Sequence, residues 1–194
     1  GGYKLSSGKY LEVFKAMNLT QPYTVEFRFK ASDNNGDGLV DNSGLFTFRN
    51  GAGHTHYNEV LIVAGKLTIN NYNAKEGHKV IEISAGTANG ALKAGQWYQL
   101  RIKVENGKQS IFLEENEIKN NVAPRAVLNH EGYINSADRF LLGYGYSKST
   151  GYLYASDVVI DDFKILDGRG DRLVDLHFNQ APEPKVELTA GAVF

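Results

Sequence analysis

What most constrains this chain is an alternation of apolar and polar residues with period two, repeated in one short run after another. In "YTVEFRFK", Val25, Phe27 and Phe29 fall on one side and Glu26, Arg28 and Lys30 on the other. "GLFTFRN" sets Phe46 and Phe48 opposite Thr47 and Arg49, with Leu45 on the polar parity. In "YQLRIKVENGKQSIFLEENEI", Tyr98, Leu100, Ile102 and Val104 share a face ahead of a turn at Glu105-Asn106-Gly107-Lys108. Successive side chains of a strand point to opposite faces, so these runs read as strands buried on one side and wet on the other. "EVLIVAGKLTINNY" reads as two strands joined by a tight hairpin at Ala64-Gly65-Lys66. "KVIEIS", "RFLLGYGY", "VVIDDFKIL" and "LVDLHF" extend the series, and only "EVFKAMNL" suggests a helical turn. Gly, Asn, Asp or Ser cluster at nearly every boundary, the punctuation of a sandwich or jelly roll. The predicted class is all-β, a jelly-roll sandwich of two antiparallel sheets.

A length of 194 residues suits one domain over residues 1–194. Such a chain buries roughly 70% of its unfolded surface and needs no crosslinks. It contains no cysteine, which excludes disulfides, thiol catalysis and cysteine metal sites together. With 21 basic and 22 acidic residues interspersed, it lacks the basic footprint of a nucleic-acid binder. Its apolar runs fall short of the roughly 20 residues of a membrane span, so no membrane insertion is expected. The chain opens at "GGYKLSSGKYLEVF", already strand-like, and stops at "ELTAGAVF" without a polar tail, as expected of a piece of a longer chain.

Between two strands lies "SDNNGDGLVDNSG", residues 32–44. Asp33, Asn35 and Asp37 alternate, Gly38 follows the third, and Leu39 and Asp41 complete the front of a D-x-[DN]-x-[DN]-G calcium loop. Calcium takes six to eight oxygens; Asp33, Asn35 and Asp37 would offer side chains, Leu39 its carbonyl, and Asp41 a side chain directly or through water. The glutamate of a complete loop is missing, because Gly44 stands there. The alternative is a plain Asn/Asp/Gly turn, since these residues favour turns in any case. Asp161-Asp162 is a second acidic pair, expected to form a bulge whose carboxylates cap backbone amides, with a metal as the other reading.

The order of pieces resembles the laminin-G-like jelly rolls of the concanavalin A-like lectin/glucanase superfamily, as found in bacterial carbohydrate-active proteins. "GKYLEVFKAMNLTQPYTVEFRFKA", "SGLFTFRNG", "LIVAGKLTINN", "AGQWYQLRIKVENGKQSIFLEENEI" and "RFLLGYGYSKSTGYLYASDVVIDDFKILDG" are similar to five consecutive segments of that family, over roughly residues 8–168. The family's usual first strand has no counterpart at the N-terminus, whereas "RLVDLHFN" at 172–179 resembles it. Residues 172–194 are therefore expected either to close the sandwich from the other end or to lead into a following domain. The resemblance implies a packing role for Trp97.

The resemblance also implies carbohydrate as partner. Sugar sites combine flat aromatic faces with planar amides and charged groups. "RNGAGHTHYN" concentrates Arg49, His54, His56, Tyr57 and Asn58 after a strand, "INNYN" adds Tyr72, and "GYGYSKSTGYLY" adds Tyr144, Tyr146 and Tyr152. Arg28 and Arg49 share the polar parity, which admits a carboxylated sugar such as a sialic or uronic acid. Hydrolysis of a glycoside uses two carboxyl groups, and no strand here has the glucanase spacing E-x-D-x-x-E. The expectation is a non-catalytic, lectin-like carbohydrate-binding module with a structural calcium site. It would belong to a larger exported bacterial glycoside hydrolase such as a sialidase, located extracellularly, at the cell surface or in the periplasm. The alternatives are a polysaccharide lyase or glycoside hydrolase of the same fold, and an adhesion domain that binds protein.

Overall fold

The computed structural model describes residues 2–6, 10–14, 19–50, 56–116, 119, 122–130, 139–147 and 149–178. In chain order the strands are β1 (Tyr3–Leu5), β2 (Leu11–Phe14), β3 (Tyr23–Lys30), β4 (Ser43–Asn50), β5 (His56–Val63), β6 (Lys66–Asn73), β7 (Gly77–Ile83) and β8 (Trp97–Glu105). They continue with β9 (Lys108–Glu115), β10 (Ala126–Leu128), β11 (Arg139–Leu142), β12 (Tyr144–Ser147), β13 (Gly151–Tyr154), β14 (Val158–Leu166) and β15 (Arg172–Leu176). A first sheet runs β1-β14-β3-β8-β9-β10, with β15 also paired to β14. A second runs β2-β11-β4-β5-β6-β7, and β12 with β13 forms a separate hairpin. The pairings are antiparallel, and the two large sheets make the jelly-roll sandwich.

Alternation becomes burial most plainly in β3. Tyr23, Val25, Phe27 and Phe29 are buried while their neighbours are partly exposed, and β8 pairs with the strand in unbroken register from Tyr23↔Val104 to Lys30↔Trp97. Phe27 and Phe163 from the first sheet meet Phe46, Phe48 and Phe140 from the second. Ring centroids lie 4.5 Å apart for Phe46–Phe48, 4.7 Å for Phe48–Phe140, 5.2 Å for Phe140–Phe163 and 5.5 Å for Phe27–Phe163. This aromatic spine crosses the interior, and truncating one of its phenylalanines to alanine typically costs about 3–5 kcal/mol. The expected hairpins at 64–65 and 106–107 form. Ala64 takes the unusual φ of 50° and donates its N–H to Asn42 Oδ1 at 2.8 Å.

Three local departures matter. "EVFKAMNL" opens as strand β2 rather than a helical turn, and its residues 15–18 lie outside the described ones. Leu45 is fully buried despite its polar parity, because a register shift between Gly44 and Phe46 turns it inward. "RFLLGYGY" is not one strand: Gly143, at φ 81°, ends β11 and the chain leaves the second sheet as β12.

At Asp161-Asp162 the register of β14 slips, with Asp162 at φ 50°. The bulge arises as expected: Asp161 Oδ1 accepts the Asp162 N–H at 3.0 Å, and Asp162 Oδ1 lies 2.9 Å from His177 Nδ1. On either side of it, β1 pairs with Val158–Ile160 and β15 with Phe163–Leu166, so both strands share one edge of β14. Val174 is buried, and Phe178 sits 5.6 Å from Tyr3, ring to ring. Residues 172–178 thus line the sheet edge; 179–194 lie outside the described residues.

Candidate glycan-binding face

Strand register assembles two rows on the outer face of the second sheet. The first reads Arg139, Arg49, Tyr57, Tyr72, His78 across β11, β4, β5, β6 and β7. The second, two residues along, reads Leu141, Thr47, Glu59, Asn70, Val80. Segments far apart in sequence contribute to each row, and the polar groups link up. Asn70 Nδ2 donates to Glu59 Oε2 at 3.0 Å, and Asn70 Oδ1 lies 2.5 Å from His78 Nε2. A carboxamide oxygen only accepts, so His78 carries its proton on Nε2.

The hairpin of β12 and β13 covers part of this face. Thr47 Oγ1 donates to the Tyr144 carbonyl at 2.6 Å, Asn70 Nδ2 to the Tyr146 carbonyl at 2.8 Å, and the Tyr146 N–H to Glu59 Oε2 at 3.2 Å. Two glycines permit the approach. A Cβ on Gly44 would stand 2.4 Å from the Tyr144 carbonyl carbon, and one on Gly145 would stand 2.1 Å from Leu61 Cδ2. Pairing of Tyr144 with Tyr154 and Tyr146 with Tyr152 puts four tyrosines on one side of the hairpin. Tyr10 joins them, 5.7 Å from Tyr144 and stacked 6.5 Å from Tyr154. Tyr152 is 58% exposed and Tyr154 38%, so these two rings are the ones that solvent reaches most.

Beneath the tyrosines lies charge. Arg49, 7% exposed, holds its guanidinium 5.3 Å from the Tyr144 ring centroid. Burial pushes the Glu59 carboxyl up to about 7, against the lowering effect of the Tyr146 N–H, Asn70 and Arg49. Burial likewise lifts the Tyr144 hydroxyl to about 12. At the β2 edge Arg139 makes a bidentate pair with Glu12, at 2.8 and 2.9 Å, which raises its already high pKa.

Of the residues singled out in the sequence, Arg49, Tyr57, Tyr72, Tyr144 and Tyr146 converge here. Asn58 does not: it sits on the inner parity of β5, 7% exposed, opposite Asn71, and both line a small interior cavity. His54 lies outside the described residues; the backbone of His56 pairs with Asn50, and its side chain also lies outside them. Arg28 is on the opposite side of the sandwich, its guanidinium 4.2 Å above Trp97, so the two arginines expected together are separated by the whole core. Sequence reasoning missed Glu59, Asn70, His78, Tyr10 and Tyr154. One signal was available: Glu59 is the sole acid within the strand "HYNEVLIV".

In the 33–41 loop, Asp33 Oδ1 and Oδ2 accept the N–H groups of Gly36 and Gly38 at 2.8 and 2.9 Å. Asn35 Oδ1 accepts from Asp37 N–H and Asp37 Oδ1 from Leu39 N–H, both at 2.9 Å. Asp41 Oδ2 accepts from Asn34 N–H at 3.1 Å and from the Ser156 hydroxyl at 3.0 Å. Carboxylate and amide oxygens that accept one bond retain a second lone pair, and an all-oxygen donor set is the kind calcium prefers. The same bonds also hold the loop's shape unaided. Among the described residues no group of three or more His, Cys, Asp or Glu is clustered to hold a metal ion.

No protein-family profile matches the chain, and no curated protein matches it. Solved structures do. Domains LG4-5 of the mouse laminin α1 chain align over 93% of this chain at TM-score 0.60 and 14% identity, and the LG1-3 region of the laminin α2 chain over 93% at 0.56 and 11%. The CBM40 module of the Ruminococcus gnavus IT-sialidase, bound to α2,3-sialyllactose, aligns over 89% at 0.53 and 14%. This chain spans 45% and 28% of the two laminin chains and 91% of the sialidase module. The chain therefore has the lectin-type, concanavalin A-like jelly-roll fold that laminin G domains exemplify.

Proposed function

We propose that this domain is a non-catalytic carbohydrate-binding module whose ligand lies across the tyrosine face of the β12–β13 hairpin and the adjoining row of Tyr57, Tyr72 and His78. The observation that carries this reading is the set of four hairpin tyrosines turned to one side and anchored to a buried polar network. Aromatic faces with a few fixed polar groups are what a small-molecule site of this kind needs. Glu59 is the one carboxylate of the two rows, and Glu12 beside them is held by Arg139. Glycoside hydrolysis needs an acid and a second carboxyl group in play, so binding is the better reading. A shallow face gives weak monovalent affinity, which tethering to a catalytic partner in a larger exported protein, such as a sialidase, would raise.

Calcium belongs to the proposal as a structural ion in the 33–41 loop, held by Asp33, Asn35, Asp37, the Leu39 carbonyl and Asp41. The donor chemistry supports it. The test of the whole reading is a glycan-array screen in calcium and again in EDTA, with Tyr152→Ala beside the native domain. Binding lost in Tyr152→Ala supports the face; turnover of any bound polysaccharide would replace the module with a lyase. Blank arrays in both buffers would send the search to protein partners.

A further inference from the structure

We infer that the ligand of this face is an uncharged glycan, and that the face discriminates against sugars carrying carboxylate or sulfate; this rests on the reading just proposed. The cations that line the face among the described residues are buried or already paired. Arg49 is 7% exposed, with its Nε shut away from solvent and its guanidinium 5.3 Å from the Tyr144 ring centroid; Arg139 makes both of its bonds to Glu12; His78 gives its Nε2 proton to Asn70. Among the described residues an incoming anion therefore meets no accessible fork of N–H donors, the geometry that carboxylate recognition uses.

What the face exposes does not attract negative charge. The π-face of an aromatic ring is its electronegative side, so tyrosine faces attract the polarised C–H groups of a pyranose and oppose an anion. Tyr152 and Tyr154 are the exposed rings of the hairpin, and Glu59 is the one carboxylate of the rows behind them. Specificity obtained by opposing the wrong ligand needs only such a mismatch. The hydroxyls of the exposed Tyr152 and Tyr154 suit neutral sugar hydroxyls.

The test uses an array in which each acidic glycan is printed beside its charge-neutralised form: polygalacturonate with its methyl ester, and sialyllactose with its carboxyl-reduced counterpart and with lactose. The expected result is tighter binding to the neutral member of each bound pair, by roughly tenfold or more, as like-charge juxtaposition produces. Glu59→Gln should narrow that ratio, whereas a purely steric preference would leave it unchanged. Equal or tighter binding of the acidic member, abolished by Tyr152→Ala, would overturn the charge inference and keep the module. No binding by either member of any pair would overturn the module itself, and the inference with it.

Discussion

The two outer faces of this sandwich both carry aromatic residues, yet the exposed rings have different neighbours. On the first sheet Trp97 has the Arg28 guanidinium 4.2 Å and the Lys30 ammonium 5.1 Å from its ring centre, and Phe112 has Arg101 at 4.3 Å. On the second, Arg49 lies 5.3 Å from the ring of the buried Tyr144, while the exposed rings meet other tyrosines: Tyr146 meets Tyr152 at 5.3 Å and Tyr144 meets Tyr154 at 5.6 Å. Where a cation sits over a ring, its face is already used. An aromatic residue on a strand becomes a platform only where its neighbours leave the π-surface open, and strand register decides which neighbours those are.

The comparison breaks most completely at the hairpin's seat. Gly44→Ala places a methyl group against backbone atoms of the hairpin, Tyr144 C at 2.4 Å and Gly145 N at 2.5 Å, which cannot swing aside as side chains do. The expected loss is about 3 kcal/mol in denaturant unfolding, the upper end of ordinary overpacking. A second probe is pH. Burial pushes the Glu59 carboxyl up to about 7 in the folded protein, against 4.5 for a glutamate in water, so the native state holds its proton more firmly. The stability this contributes is complete below about pH 4.5 and is lost as pH rises through 7. Between pH 5 and 8 the native protein should lose about 2 kcal/mol relative to Glu59→Gln, whose side chain does not titrate.

Smaller effects sharpen the contrast. Tyr152→Ala should weaken glycan binding about tenfold, near 1.4 kcal/mol, with unfolding unchanged within about 0.5 kcal/mol because the ring is mostly exposed. Arg101→Ala on the other face should do the reverse. Binding would hold, and stability would fall by about 0.5–1 kcal/mol for the lost cation–π contact. If Arg101→Ala weakened binding and Tyr152→Ala did not, the assignment of faces would be inverted.

Much of the fold was legible because its cause is local. The parity of Val25, Phe27 and Phe29, and the turns at 64–65 and 106–107, follow from side chains within a few residues of one another. The face was half legible. Arg49, Tyr57, Tyr72, Tyr144 and Tyr146 announce themselves by type, but the row of Arg49, Tyr57 and Tyr72 depends on register between β4, β5 and β6, and Tyr144 and Tyr146 reach it only on the hairpin of β12 and β13. The same applies to Asn58, whose parity turns it inward, and to Leu45, moved by one bulge. The break at Gly143 was hidden because "FLLGYGY" alternates well enough for one strand. Only the contact of Gly145 with Leu61, from another part of the chain, shows why β12 leaves the sheet.

The edge shared by β1 and β15 has a mechanical consequence. Both run antiparallel to β14, and the end of β15 near Leu176 comes up to the start of β1 near Tyr3, like one strand interrupted at the bulge. Tension entering at Tyr3 and leaving beyond Phe178 would therefore not stretch across the aromatic core. It would peel two short edge strands, bond by bond, while β3, β8 and the tyrosine hairpin stay unloaded. A domain wired this way would yield at its margin and leave the tyrosine hairpin intact.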